Sequence, residues 1–425
     1  MGSNPDLGAI FRSARHALRL KQEDVARAVG YSRSAISRIE GNRMRVDLDT
    51  RLRLAQVLRI PPEQVAGFPL SAAPVIDTVG ALPMPDKEDA MRRRNLLGAL
   101  AAGASAIALP GTAEARPAPV SFDDMLFRLP STDPAPLRAL ASQAAAARTA
   151  FTAARYSDLG RALPGLLSAA EATRDAAVGR ARQQANAILA RAYVLACELA
   201  AKQHSDTAWV AADRALAAAR ASGMPIPVGE AARVLAITMR RSGNCSSAVS
   251  FLTTETAALD PAEERTAAVR TTLLLTAAYS AAAGGDRATA LSLLDEADET
   301  VERWPQAPGG LFTVEATKTQ AAVYRIGVHT TLGTPDEAVE IARGLNIDLM
   351  PTAERRARAW TDTARMWHAL GHGQQAFTAL RHVEQEAAQE VRRPALRALT
   401  SNLLYGPTRV EGLREFAVRT GAAPA

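Results

Sequence analysis

The sequence predicts an all-α protein: a five-helix unit over residues 6–68, a linker over 69–130, and a solenoid of antiparallel helix hairpins over 131–425. Three observations carry this. Hydrophobic residues make up 48% of the 425 residues but Phe, Trp and Tyr only 4%, which suits closely packed alanine-rich helices and is ample for a sizeable core. Two short helical runs, Gln22 to Val29 and Arg33 to Glu40, meet at Gly30, a residue that reaches positive φ at little cost. From Asp133 onward the helical pattern is interrupted at recurring places, which is the mark of a repeat.

In chain order, Leu7, Ile10, Phe11, Ala14 and Leu18 form the apolar stripe of a first helix. The pair around Gly30 follows, with Ser32 placed to cap the second member. Val25, Val29, Ile36 and Ile39 are spaced to face one another across the pair, while Arg33, Ser34, Ser37 and Arg38 point away. Apolar inside, cationic and hydroxyl-bearing outside, the second helix has the make-up of a DNA-recognition helix. Entering a major groove N-terminus first, it would bring Arg33 and Ser34 to base edges, with Arg38 one turn later; an arginine there can grip guanine with two hydrogen bonds. Lys21 and Gln22 at the start of the first helix, and Arg43 and Arg45 on the loop beyond the second, would meet phosphates. Asp49 to Leu58 supplies a fourth helix with Leu52, Ala55 and Leu58 inward, Pro61-Pro62-Glu63 starts a fifth, and the unit closes near Phe68.

Charge is distributed accordingly. Residues 1–70 hold 12 Lys and Arg against 7 Asp and Glu, the remainder 38 against 37. The basic excess therefore sits on the unit that would touch DNA, as electrostatic binding requires.

Residues 6–68 resemble the XRE/Cro-type repressor domain. The likeness rests on Arg15 in the first helix, Gln22 opening the second, the Ala26 and Gly30 turn pair, Ile36, and the exit Ile39-Glu40-Gly41-Asn42. It implies a partly buried ion pair between Arg15 and Glu40, tying the first helix to the end of the third. Lys21 departs from the family, which usually has a Ser, Thr or Asn cap there; the helix start is weakened and a phosphate-seeking charge is added.

Residues 69–85 are rich in Pro, Ala and Gly without helical period and read as a linker. Met91-Arg92-Arg93-Arg94-Asn95-Leu96-Leu97 then leads into an uncharged Ala/Gly/Leu run ending at Gly111, followed by Ala113-Glu114-Ala115. That is the layout of a twin-arginine export signal. Its position behind another domain favours a linker helix, and a membrane anchor or an export signal are the alternatives. A linker of this length leaves the N-terminal unit free, so the expectation is that the repeats control DNA binding through spacing and curvature rather than by covering the recognition helix.

In the C-terminal part Gly243, Gly285, Gly333 and Gly371 are each followed five residues later by Ala248, Ala290, Ala338 or Ala376. Gln203 with Ala208 and Ala154 with Leu159 fit the same frame. Seven residues before each break come Ala147, Ala196, Ala236, Ala278, Ile326 and Ala364, small in all but one case. This resembles the tetratricopeptide (TPR) repeat, with a period of 38 to 49 residues in place of the usual length, and is TPR-like in that sense. In such solenoids the first helix of each hairpin lines the concave face. The frame places Tyr193, Glu230, Arg233, Arg240, Tyr279, Gln320, Tyr324, Arg365 and His368 there, a candidate ligand groove rich in Tyr and Arg.

Cys197 and Cys245 fall in different repeats and offer neither a disulfide framework nor a metal motif; a reducing cytoplasm fits. His368 and His372 lie four apart with Gly371 ending the helix between them, so no metal is expected. No phosphate-binding loop, nucleophile elbow or dinucleotide fingerprint occurs, which speaks against an enzyme and against a cofactor. The expectation is a homodimeric, cytoplasmic transcription regulator that binds double-stranded DNA at an inverted repeat and senses a peptide, small molecule or protein. It resembles the actinobacterial regulators that join an XRE-type N-terminus to a TPR-like C-terminus, some of which act in secondary metabolism or development. A TPR-type interaction adaptor, or an exported or membrane-held TPR protein, is the rival reading.

Overall fold

A computed structural model of the protein describes residues 7–41, 44, 48–60, 126–406 and 409–424. The chain divides into two compact units, one made of residues 1–66 with 121–425 and the other of residues 67–120. All described residues lie in the first; the expected fifth helix, Arg43, Arg45, and the segment 91–111 lie outside them. The described residues are helical, with no strand among them.

Four helices form the N-terminal part: α1 (Leu7–Ala17), α2 (Gln22–Val29), α3 (Arg33–Glu40) and α4 (Leu48–Val57). Phe11, Val25, Val29, Ile36 and Ile39 close into one core with Ala55 and Leu58. Leu54, which the inward set of the fourth helix did not include, is buried there as well. That helix runs one residue earlier than expected, and Leu58 is buried just past its end.

The C-terminal part pairs its helices in chain order: α5 (Leu137–Thr152) with α6 (Tyr156–Ala176), α7 (Gly179–Gln203) with α8 (Thr207–Ser222), and α9 (Pro225–Arg241) with α10 (Cys245–Ala257). Next come α11 (Glu264–Ala283) with α12 (Arg287–Arg303), then α13 (Lys318–Thr331) with a 3-10 turn (Pro335–Ala338) and the short α14 (Val339–Gly344). The last are α15 (Ala353–Ala369) with α16 (Gly373–Glu386), and α17 (Pro394–Leu404) with α18 (Leu413–Thr420). First members lie side by side, each against the first member of the next hairpin. This is a TPR-like array.

The repeat frame has a direct structural meaning. Gly243, Gly285, Gly333 and Gly371 take φ of 84°, 79°, 74° and 80°, the left-handed turn that lets the second helix fold back on the first. Ala154 adopts the same conformation without glycine's freedom, at φ 55°. In the second hairpin the frame was one residue early: α7 continues through Gln203, and His204 is the left-handed residue at φ 59°. The small residues on either side of these turns, from Ala147 to Ala376, are all at most 4% exposed. Without long side chains between them, two helix backbones approach closely and contact area is gained along their length.

The inner face is more closed than an open groove. α5 packs against α15, bringing the first hairpin onto the sixth. Tyr156 donates a hydrogen bond to Glu390, and Lys202 bonds Glu390 and, at 2.5 Å, Glu354 across the same junction. Burial and the neighbouring carboxylates push the Tyr156 phenol far above its ordinary range, so it serves there as a donor.

Candidate DNA-binding surface and inner chamber

The recognition helix is held by its turn and by one ion pair. Gly30 ends α2 at φ 73° and Tyr31 N–H donates to the Ala26 carbonyl at 2.8 Å, while Ser32 Oγ accepts from Ala35 N–H at 3.2 Å to start α3. Lys21 cannot cap α2 with a carboxylate or hydroxyl, but Asp24 does so from within: its Oδ2 accepts from Lys21 N–H at 2.8 Å. Arg15 and Glu40 meet in a two-pronged bridge, Nε to Oε1 at 2.5 Å and Nη2 to Oε2 at 2.8 Å, with Glu40 3% exposed. Burial pushes the Glu40 carboxyl up, but the bonds from Arg15 and Gln22 outweigh it and hold the group below its usual range.

Gln22 was expected at a phosphate. Its side-chain amide instead donates to Glu40 Oε2 at 2.9 Å, because Glu40 has a lone pair left after Arg15 and lies within reach of the start of α2. Lys21 is exposed, as are Arg33 and Ser34; Ser37 and Arg38 are half-buried. Among the described residues Arg33 has only a loose contact with Glu23 at 3.6 Å, both side chains being more than half exposed.

The C-terminal hairpins reach this face. Ser34 Oγ donates to Asp336 Oδ2, and Arg38 Nη2 donates to Asp336 Oδ1 at 2.6 Å. Partial burial raises the Asp336 carboxyl, but these two bonds prevail and keep it below the usual aspartate range. Tyr31 and Met44 sit over Gly333, where a Cβ would come within 2.5 Å of the tyrosine ring and 3.0 Å of the methionine methyl. Arg53 lies over Gly285, 3.1 Å from where a Cβ would stand. Against the expectation of an uncovered recognition helix, Asp336 contacts two of its residues, while Arg33 and Ser34 remain exposed. Pro335 sets a tight 3-10 turn two residues after Gly333, and this presents Asp336 to a cationic helix.

The nine residues expected on the inner face separate into groups. Arg233, Arg240, Tyr279, Gln320 and Tyr324 line one chamber of about 90 Å³. It adjoins a second of about 290 Å³ that shares Arg233, Arg240 and Tyr279 and adds Arg365. Tyr193 lies elsewhere: it donates to Glu171 at 2.6 Å and borders a separate cavity beside Arg214. Glu230 is fully buried and accepts from Arg191 Nε at 2.9 Å and from the Phe312 backbone N–H at 2.7 Å, so it anchors a loop. His368 is half-buried at the end of α15 and borders neither chamber.

Arg355, Arg358 and Asp362 of α15 complete the smaller chamber and were missed. With Arg365 they follow at intervals of three, four and three residues, a single helical stripe of charge. That stripe was the available signal. Burial pushes the Tyr324 phenol up, but Arg233, Arg355 and Arg358 prevail and bring it down to about 8.

The described residues thus join a helix-turn-helix, with Arg33 and Ser34 exposed on its second helix, to TPR-like hairpins. Residues 6–68 match the family model of a helix-turn-helix domain. No curated protein matches the chain. Among solved structures, the crystal structure of Bacillus thuringiensis PlcR in complex with the peptide PapR7 and DNA is similar to it at 11% identity, covering 95% of this chain and 100% of that one, with a TM-score of 0.28. Among the described residues no helix is long and apolar enough to cross a membrane.

Proposed function

We propose that the protein is a cytoplasmic, homodimeric transcription regulator in which residues 6–68 bind DNA, residues 69–130 link, and residues 131–425 sense a ligand and restrain the recognition helix. The observation that carries this reading is the Asp336 carboxylate on Ser34 and Arg38, two side chains that a major-groove complex would use. While Asp336 holds them, its carboxylate takes the donors that bases or phosphates would otherwise accept from. Release frees the face, and two such units on a protein dyad match half-sites one turn apart in an inverted repeat. The resemblance to actinobacterial regulators points to secondary metabolism or development as the controlled process. DNA co-purified with the intact chain supplies the operator for the test. Asp336→Ala should bind that operator at least tenfold more tightly by fluorescence anisotropy, since hydrogen bonds to a charged group contribute about 1.5–3 kcal/mol. A folded variant that binds no more tightly would remove the restraint from the mechanism, and an intact chain that retains no DNA would favour an interaction adaptor.

A further inference from the structure

The inner chambers do not balance their charge. Eight Lys and Arg side chains line the two, against three carboxylates, Glu198, Glu354 and Asp362. Each carboxylate is already committed. Glu198 accepts from Arg148 at 2.8 Å and from Arg233 at 3.2 Å. Glu354 takes Lys202 at 2.5 Å and Arg355, and Asp362 takes Arg358 at 2.7 Å and Arg365 at 3.3 Å. Lys202 and Arg393 also pair with Glu390, just behind the lining. Two cations then have no carboxylate within ion-pair distance among the described residues: Arg241, which is exposed and donates to the Ala201 carbonyl at 2.6 Å, and Arg240, which has Ser280 Oγ at 3.5 Å and the face of Tyr279 at 4.6 Å.

Gln320 supplies a second, independent observation. It is 1% exposed, it borders the smaller chamber, and neither polar atom of its carboxamide has a hydrogen-bond partner among the described residues. An unmet buried amide is costly in a folded protein and calls for an occupant. A neighbouring cation without a counter-charge calls for the same kind of occupant.

We propose that the smaller chamber binds the oxyanion head, carboxylate or phosphate, of a small organic anion whose body fills the larger chamber. Arg240 supplies the charge, Gln320 Nε2 donates, and Gln320 Oε1 accepts from a hydroxyl or water carried in with the ligand. The combined space is at the lower end of small-molecule sites, which suits a small anion. The inference rests on the sensing role proposed above and names the ligand class. Gln320 and Tyr324 lie on α13, and the turn after α13 carries Gly333 and Asp336, so an occupant bears on the helix that holds the restraint.

The test uses the full chain without DNA. Inorganic phosphate and glutarate are each titrated against sodium chloride of equal ionic strength, with thermal unfolding and calorimetry as readouts. At about ten times the dissociation constant, one of the two should raise Tm by roughly 1–2 °C and give saturable heat. Which of them does so identifies the head group. Arg240→Met, which removes a cation without a carboxylate partner among the described residues, and Gln320→Leu, which removes the unmet amide, should each fold and lose that rise; if one fails to fold, the other carries the comparison. No rise with either probe, or an equal rise in both variants through binding at the DNA-facing surface, overturns the proposal. Because no DNA is present, that failure leaves the Asp336→Ala result standing, and loss of the Asp336 effect leaves this one standing.

Discussion

Arg15 and Arg240 are both arginines set into helical packing, and they differ in what answers their charge. Arg15 meets Glu40 along two parallel bonds and gives a third to the Leu20 carbonyl at 3.0 Å. Its guanidinium is matched, and its pKa is raised chiefly by the Glu40 bond. Arg240 faces a phenol ring, a hydroxyl and other arginines, and burial depresses its pKa with Arg358 and Arg233 adding to the effect. A matched buried charge is a structural tie; an unmatched one beside an unmet amide is a place for something else.

The largest expected effect tests the matched side. Glu40→Ala leaves Arg15 without its counter-charge and should cost about 3–5 kcal/mol, read as lost hydrogen-exchange protection of α1 to α3 in the intact chain. A cost below about 1 kcal/mol would mean that Arg15 finds water easily, and the contrast with Arg240 would lose its meaning. A third environment gives the next effect. Arg33 is exposed and loosely paired, so Arg33→Ala should leave folding unchanged and reduce discrimination between operator and random DNA by about 1–3 kcal/mol. Equal weakening on both DNAs would assign Arg33 to phosphate instead of base.

The smallest effect reads the field inside the chamber. Tyr324 faces Arg233 and Arg240 from α9, Tyr279 from α11, and Arg355, Arg358 and Asp362 from α15. With a phenol pKa of about 8 in the folded chain and about 10 unfolded, the folded state binds fewer protons between those values. The stabilisation is full above the unfolded pKa and is lost as pH falls through the folded one. Wild type should therefore gain stability relative to Tyr324→Phe as pH rises through that window, and it should show one tyrosinate absorbance step near pH 8 that the variant lacks. No step there would mean that the field of Arg233, Arg355 and Arg358 is screened by water.

Much of the architecture was legible in the sequence because it depends on local rules. Gly30, Gly243, Gly285, Gly333 and Gly371 mark left-handed turns, and the alanines at fixed distances from them mark close helix contacts. The α2–α3 seam followed from the spacing of Val25, Val29, Ile36 and Ile39. His204 escaped the frame by one residue because a non-glycine takes the turn there. On the inner face, helical phase alone brought Arg233, Arg240, Tyr279, Gln320 and Tyr324 to a common side, but it could not separate them from Glu230 and Tyr193, whose partners come from elsewhere.

What the sequence by itself determined is therefore periodic: which segments are helices, where they turn, and which face of each is apolar. Those properties repeat at 3.6 residues or at the hairpin length, and a linear reading detects a period. Only the tertiary structure decided which charges meet. Ser34 and Arg38 find Asp336 some 300 residues later, Arg240 finds no carboxylate among the described residues, and Gln22 turns to Glu40, because these outcomes depend on distances of a few ångströms between segments whose separation along the chain carries no information about them.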